Sequence, residues 1–140
     1  MAEPKKQPGR WRAAWLAALA WAVLAAVWSL LLPGGAQEVP ATLSGILRNC
    51  LVLPLAEELV FRGAALHILQ PLGQNGAILA QAVLFAALHG GITGKCYALG
   101  MGLIFGWAAA KTGSLAPGVV LHILNNGLVL ARGLAERGLG

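Results

Sequence analysis

Aspartate is absent from this sequence, and charged residues of all kinds make up only 11% of its 140 residues. A typical soluble domain carries about 25% charged residues. Since 58% of the residues are hydrophobic, the chain has too little polar surface to cover a water-soluble domain. The same composition excludes an intrinsically disordered chain, which needs low hydrophobicity. We therefore predict one compact integral membrane domain with the lipid bilayer as its solvent.

The lack of aspartate and the scarcity of serine also exclude several kinds of catalytic site. A Ser-His-Asp triad cannot form without aspartate. The sequence contains neither a G-x-S-x-G elbow nor an H-E-x-x-H zinc motif. The two cysteines, Cys50 and Cys96, match no metal or redox spacing, and we expect both to be buried, unreactive thiols.

Positive charge is concentrated near the N-terminus. Four of the ten Lys and Arg residues, Lys5, Lys6, Arg10 and Arg12, precede the first apolar run. Cytosolic segments next to membrane helices carry such an excess of cations, which also attract anionic lipid. Residues 1–12 are therefore predicted to be a basic cytosolic tail, and no nucleic-acid partner is expected.

The first apolar run is long enough to cross a membrane. Residues 13–32 carry no charge, and the run exceeds the 7–15 apolar residues of a typical signal peptide. It is therefore predicted to be the first transmembrane helix, with cleavage near the sequence Gly34-Gly35-Ala36 as the alternative. We expect residues 33–40 to form an external loop and residues 41–134 to form the rest of the domain.

Four further helices are expected within residues 41–134. They cover residues 41–69, 77–89, 97–111 and 117–131. Pro54 predicts a kink, and the GxxxG spacing of Gly102 and Gly106 predicts a close helix contact. The third to fifth apolar stretches are shorter than the ~20 residues of a full span. The predicted fold class is all-α, a polytopic transmembrane bundle of about five helices, some of them short or re-entrant.

Three ionisable residues lie close together in the second predicted helix. Glu58 and Arg62 are four residues apart and share a face, so we expect a buried ion pair that supports the structure. Glu57 points about 100° away on the helical wheel and is left to face another group. In the alternative interpretation, both glutamates only satisfy Arg62 and nearby backbone groups.

Polar residues also interrupt the later apolar helices. His89 precedes a Gly-Gly break, and His122 and Asn126 share a face of the last helix, with Asn125 on the flank. Such groups are costly in a membrane and indicate function by default. A carboxylate, two imidazoles and an amide that converge there could activate water and hold an oxyanion. A His₂Glu zinc site, a Cys–His nucleophile and simple interhelical hydrogen bonding are the alternatives.

Three motifs in this order carry a resemblance to a known family. Residues 57–62 match EExxxR, residues 85–89 match FxxxH and residues 122–126 match HxxxN. Each motif alone is weak, but together they hold most of the polar residues of the apolar helices. Over about residues 43–131, the chain resembles the CPBP family of CAAX prenyl proteases and bacteriocin-processing enzymes, also called the Abi family.

The resemblance implies an intramembrane glutamic endopeptidase that needs no metal or other cofactor. By motif position, Glu57 would be the catalytic glutamate, and His89 would help it activate water. His122 and Asn126 would form the oxyanion hole. Asn125 is expected to contribute mainly to packing.

The resemblance also implies a supporting pair, a substrate class and a location. Glu58 and Arg62 would support the site, in agreement with the helical wheel. The substrate would be a membrane-associated protein or peptide, but the chain lacks the extra helices of eukaryotic CAAX proteases, so a prenylated substrate is not implied. Small members of this kind are prokaryotic, which predicts a multi-pass protein of the plasma membrane with a cytosolic N-terminus.

Two other functions are compatible with the same residues. The first is a zinc-dependent membrane metalloprotease, which chelators would inactivate and zinc would restore. The second is a non-catalytic membrane binding or immunity-type protein, which should tolerate Glu57→Gln if the fold persists. The sequence does not predict the oligomeric state.

Overall fold

The computed structural model describes residues 9–32 and 42–138, which form five helices and contain no strand. The predicted all-α fold class is confirmed. The helices are α1 (Arg10–Leu31), α2 (residues 43–68), α3 (Gly73–Ala87), α4 (Gly91–Thr112) and α5 (Ala116–Gly138).

Parts of two sequence predictions lie outside the described residues. These are residues 1–8 of the predicted tail and the predicted loop 33–40 with its cleavage-like sequence. The first helix begins at Arg10, three residues before the predicted start.

Helix α2 changes its pitch twice. Its α-helical parts are Leu43–Leu47, Leu53–Glu58 and Leu66–Ile68, and they are separated by the π-helical turns Arg48–Val52 and Leu59–Ala65. Pro54, where a kink was predicted, directly follows the first π turn. Proline has no backbone N–H and its ring clashes with the preceding turn, so a wider turn accommodates it.

Helix α4 is the centre of the bundle because its glycines allow two neighbours to approach closely. A Cβ atom added at Gly102 would lie 2.9 Å from Cα of Ala82 on α3. A Cβ atom at Gly100 would lie 2.9 Å from Cδ2 of Leu24 on α1. A side chain at Gly106 would collide with Gln81 of α3. The close contact predicted from the GxxxG spacing is therefore confirmed.

Successive helices run in opposite directions. Residue numbers of contacting pairs rise along one helix and fall along its neighbour, which shows an antiparallel arrangement. On α3 and α4, for example, Ala82 lies beside Gly102 and Ile78 lies beside Gly106. The α3–α4 turn lies at one end of the bundle, and the α2–α3 and α4–α5 turns lie at the other. This alternation brings the C-terminal half of α1 to the same end as the α3–α4 turn, where the rings of Trp28 and Tyr97 are in tilted contact with centroids 5.3 Å apart.

Two helices are longer than the sequence pattern predicted. Helix α4 has 22 residues and α5 has 23, so the expectation that the third to fifth helices are all short is correct only for α3, with 15. At 1.5 Å per residue, α3 spans about 22 Å, less than the ~30 Å hydrocarbon core. The polar residues that interrupt the apolar pattern, such as Lys95 and Arg132, lie inside α4 and α5 and do not end them.

The bundle buries a few polar and charged side chains within its apolar core and exposes apolar side chains on its outside. Glu58, Arg62, Gln81 and His122 are buried, whereas large aliphatic side chains such as Leu30 are exposed on every helix. Soluble monomers rarely expose apolar surface on this scale. Helices Arg10–Leu31 and Ala116–Gly138 are long and apolar enough to cross a membrane. The outer surface is therefore suited to lipid contact.

The prediction of two buried cysteines is wrong. Cys96 is exposed and Cys50 is partly exposed. On α4, the buried stripe passes through Ala98, Met101 and Phe105, and Cys96 lies two residues before this stripe, on the opposite side of the helix.

Candidate active site

The two adjacent glutamates of α2 lie in different environments. The Glu58 side chain is fully buried, whereas that of Glu57 is 34% exposed. Glu57 lines a cavity of about 510 Å³. Because neighbouring residues on a helix point about 100° apart, one carboxylate faces the core and the other faces the cavity.

Glu58 binds two basic side chains through the same oxygen. Its Oε1 lies 3.0 Å from Nη1 of Arg62 and 2.9 Å from Nδ1 of His122. The predicted Glu58–Arg62 pair is present, and the side chains of both residues are fully buried. Gly118 of α5 makes this approach possible, since a side chain at that position would collide with Oε2 of Glu58.

Arg62 is held by charge and by aromatic faces more than by directional hydrogen bonds. Its Nε, Nη1 and Nη2 atoms are buried without a hydrogen-bond partner. The guanidinium carbon lies 4.4 Å from the ring centroid of Phe85 and 5.5 Å from that of Phe105. A desolvated cation–π contact contributes up to about 2 kcal/mol, and it offsets part of the cost of the unpaired N–H groups.

His122 stands between the two glutamates. Its Nδ1 lies 2.9 Å from Glu58, and its Nε2 lies 3.5 Å from Oε2 of Glu57. An ionised carboxylate only accepts hydrogen bonds, so Nδ1 of His122 carries a proton. A second proton on Nε2 would give the ring a donor on the side of Glu57. The negative charges of the two carboxylates would then be balanced by the positive charges of Arg62 and His122.

His89 lines the same cavity as Glu57. Its Nδ1 lies 2.9 Å from the carbonyl oxygen of Phe85, and its ring packs on the Phe85 ring at 4.6 Å. A carbonyl oxygen accepts and cannot donate, so Nδ1 is the donor. In the neutral ring, Nε2 is then the free acceptor, which is the arrangement required of a base.

The two asparagines of α5 belong to one hydrogen-bonded chain. Oδ1 of Asn125 accepts from Nε1 of Trp21 at 3.2 Å and from the Tyr97 hydroxyl at 2.6 Å. Nδ2 of Asn125 donates to Oδ1 of Asn126 at 3.3 Å, and Nδ2 of Asn126 donates to the backbone oxygen of Asn49 at 2.8 Å. Asn125 is thus more than a packing residue.

No motif of the sequence includes Trp21, Tyr97 or Asn49. Tyr97 is the only tyrosine of the chain, and a phenol in an apolar helix needs a partner. That requirement was the available signal. Asn49 accepts through its backbone oxygen, so the identity of its side chain could not have predicted this hydrogen bond.

The structure brings four of the predicted site residues to one cavity. Glu57, His89, His122 and Asn126 all line it, whereas Glu58 and Arg62 lie outside its lining. Large apolar side chains from several helices form much of the wall. These are Trp28, Leu53, Met101 and Leu128.

One further cation lines the cavity. Arg132 donates from Nη1 to the Ser29 hydroxyl at 2.8 Å, which links α5 to α1. Within residues 9–32 and 42–138, no group of three or more His, Cys and Glu side chains is arranged to hold a metal ion. The structure therefore supplies no ligand cluster for the zinc alternative in that part of the chain.

The family comparison gives a match over this region. A family model described as type II CAAX prenyl endopeptidase Rce1-like matches residues 39–128, which is 90 of the 140 residues. The matched range includes every residue of the three motifs. No curated protein and no solved structure matches the chain.

Proposed function

The chain belongs to the Rce1-like family of type II CAAX prenyl endopeptidases, and on this premise we propose that Glu57 activates the water that cleaves its substrate. Membership confirms the CPBP family predicted from the three motifs. At the family level, the chain is a CAAX-type intramembrane protease, a membrane protein whose substrates are membrane-associated proteins. The residue roles that follow are part of the proposal.

The observation that carries the proposal is the position of Glu57. Among residues 9–32 and 42–138, it is the only acidic residue in the lining of the cavity, and it is partly exposed there beside two imidazoles. A carboxylate in an apolar bundle is costly unless it lines water or binds a partner. Glu57 therefore meets the first requirement of a general base, which is access to a water molecule.

The reaction proceeds by general acid–base chemistry. Glu57, aided by Nε2 of His89, takes a proton from water as the water oxygen attacks the carbonyl carbon of the scissile peptide bond. The carbonyl oxygen becomes an oxyanion. When the C–N bond breaks, Glu57 returns the proton to the amine leaving group. Atoms and charge balance without any further reactant.

The oxyanion accepts hydrogen bonds from two N–H donors on α5. Protonated His122 donates from Nε2, and Asn126 donates from Nδ2. Glu58 and Arg62 hold His122 in place through its Nδ1, at 2.9 Å from Glu58. Such fixed donors are effective because they need no reorganisation as charge develops.

The test compares protein termini in membranes from cells that produce the wild type, Glu57→Gln or Glu136→Gln. Glu57→Gln keeps the shape of the side chain but cannot take up a proton from water. Glu136 is exposed on α5, outside the cavity, which makes it a matched control. We expect new substrate termini with the wild type and Glu136→Gln, and none with Glu57→Gln.

The same proteins are then purified and their thermal unfolding is compared. We expect Glu57→Gln to unfold at or above the wild-type temperature, because a partly buried carboxylate is costly to desolvate. Cleavage by a stably folded Glu57→Gln protein would overturn the glutamic-protease mechanism. If the stably folded wild type yields no new termini, the result favours the non-catalytic binding function instead.

A further inference from the structure

We propose that Asn125 is a positioning residue that sets the orientation of the Asn126 amide, so that Asn126 presents a free N–H and not its oxygen to the cavity. The inference rests on the proposed function, in which Asn126 is an oxyanion donor. An amide oxygen at that position would repel the oxyanion, so the orientation of this one side chain decides whether the site can work.

The orientation begins at Trp21. An indole N–H can donate but cannot accept, and Nε1 of Trp21 lies 3.2 Å from Oδ1 of Asn125. The Tyr97 hydroxyl donates to the same oxygen at 2.6 Å. Asn125 is only 5% exposed, and an inverted amide would turn its N–H groups toward the N–H of Trp21, so that both donors lose an acceptor. Oδ1 of Asn125 therefore faces α1 and α4.

The orientation of Asn125 acts on that of Asn126, together with the oxygen of Asn49. With its oxygen occupied, Asn125 donates from Nδ2 to Oδ1 of Asn126 at 3.3 Å. The oxygen of Asn126 is thereby occupied within the protein. Its Nδ2 donates one hydrogen to the backbone oxygen of Asn49 at 2.8 Å. The second hydrogen on Nδ2 is left for a ligand in the cavity that Asn126 lines.

Helix α2 supplies the end of this chain because Pro54 frees a carbonyl oxygen. In the π turn, the N–H of Leu53 bonds to the oxygen of Arg48. The corresponding donor for Asn49 would be residue 54, and proline has no N–H. The oxygen of Asn49 is therefore without a backbone donor and accepts from Asn126 instead. The π turn and Pro54 together create the acceptor that anchors Asn126.

The inference is tested with Asn125→Asp, which keeps an acceptor for Trp21 and Tyr97 but removes the N–H that holds Asn126. An aspartate oxygen beside Asn126 favours the inverted amide, with Nδ2 toward position 125. We expect kcat to fall about 10²–10³-fold, the typical loss of one oxyanion donor, with KM unchanged. The assay measures hydrolysis of a quenched fluorescent peptide that spans the cleavage site mapped with the wild type.

The control is the same substitution in an Asn126→Ala background. If Asn125 acts through Asn126, the further loss from Asn125→Asp in this background should be less than about threefold, since coupled residues are not additive. A general effect of the new buried charge would persist there in full. Full additivity, or unchanged kcat in a folded Asn125→Asp protein, would overturn the inference.

A second variant covers the case in which Asn125→Asp does not fold. Trp21→Phe combined with Tyr97→Phe removes both donors that orient Asn125 and adds no charge. We expect a lower kcat than that of the wild type. When the same two substitutions are added to Asn126→Ala, we expect no further loss of kcat. Normal kcat in this double variant would overturn the positioning role. The proposed function fails differently, through cleavage by Glu57→Gln or normal kcat in Asn126→Ala alone.

Discussion

At the scale of single residues, the site depends on neighbours in sequence that have different surroundings. Glu57 and Glu58 are adjacent, yet one faces the cavity and the other is fully buried with two basic partners. Asn125 and Asn126 on α5 also differ, since Asn125 is buried and Asn126 is partly exposed, although both line the cavity. In each pair, one residue meets the substrate in the proposed function, and the other holds its neighbours.

Arg62→Ala should damage folding more than chemistry. Removing Arg62 leaves Glu58 fully buried without its permanent cation, and breaking a buried pair costs about 3–5 kcal/mol. We expect early thermal unfolding in detergent. Arg48→Ala is the matched control, because Arg48 is exposed on the same helix, and it should unfold as the wild type does. Wild-type stability in Arg62→Ala would indicate a direct role for Arg62 in substrate binding.

Asn126→Ala and Asn125→Ala should differ in activity. Loss of the proposed oxyanion donor at Asn126 should lower kcat about 10²–10³-fold. Asn125→Ala should lower it less, since Asn126 still bonds to the oxygen of Asn49 and no wrong acceptor is introduced. Steady-state kinetics with the mapped peptide distinguish the two. A larger loss at Asn125 would show that the wrong amide has been assigned to the oxyanion.

At the scale of helices, α4 and α2 have different special features, which are small residues in α4 and π turns in α2. Helix α4 uses small residues so that α1 and α3 can approach its backbone closely. Gln81 of α3 uses this proximity to donate to the backbone oxygen of Gly102 at 2.8 Å. Helix α2 instead changes pitch on both sides of its acidic pair, and π turns of this kind are frequent at functional sites.

Two glycine substitutions should have opposite effects on stability. In Gly102→Ala, the new Cβ would lie 2.9 Å from the backbone of Ala82, so α3 must move, at a cost of about 1–3 kcal/mol. In Gly127→Ala, the new Cβ meets nothing within 4 Å, and the better helix former should stabilise the protein by up to about 1 kcal/mol. Thermal unfolding in detergent measures both. Equal stability of the two variants would contradict the close α3–α4 contact.

At the scale of the whole molecule, an apolar exterior surrounds a largely apolar core, and the candidate cavity is lined by residues from distant parts of the described chain. Glu57 comes from α2, His89 follows α3, and His122 and Asn126 come from α5. Helix α1 closes the side of this cavity through Trp28 and through the bond between Ser29 and Arg132. The lining of the candidate cavity therefore depends on the packing of these helices against one another.

The alternating directions of the five helices predict that the two ends of the chain lie on opposite sides of the membrane. Reporters that fluoresce only in the cytosol, fused before Met1 or after Gly140, should give one fluorescent and one dark fusion. The alternative expected from the sequence is that one of the helices is re-entrant. Two fusions with the same fluorescence would support that alternative and contradict five complete crossings.

The sequence by itself determined the features that depend on local geometry. Hydropathy predicted the helical membrane fold, since a bilayer demands apolar helices of a given length. Helical spacing predicted the Glu58–Arg62 pair and the common face of His122 and Asn126, because residues four apart on a helix are always neighbours. The glycine spacing on α4 predicted a close helix contact for the same reason.

Only the tertiary structure decided which of these faces meet. His122 and Glu58 are 64 residues apart in sequence, and Trp21 and Asn125 are 104 apart. Their contacts depend on which helices pack together and on the rotation of each helix. The helical period cannot give that rotation once π turns have shifted the phase of α2. The orientation of Asn126 is decided last, because it requires α1, α2, α4 and α5 to be in place at once.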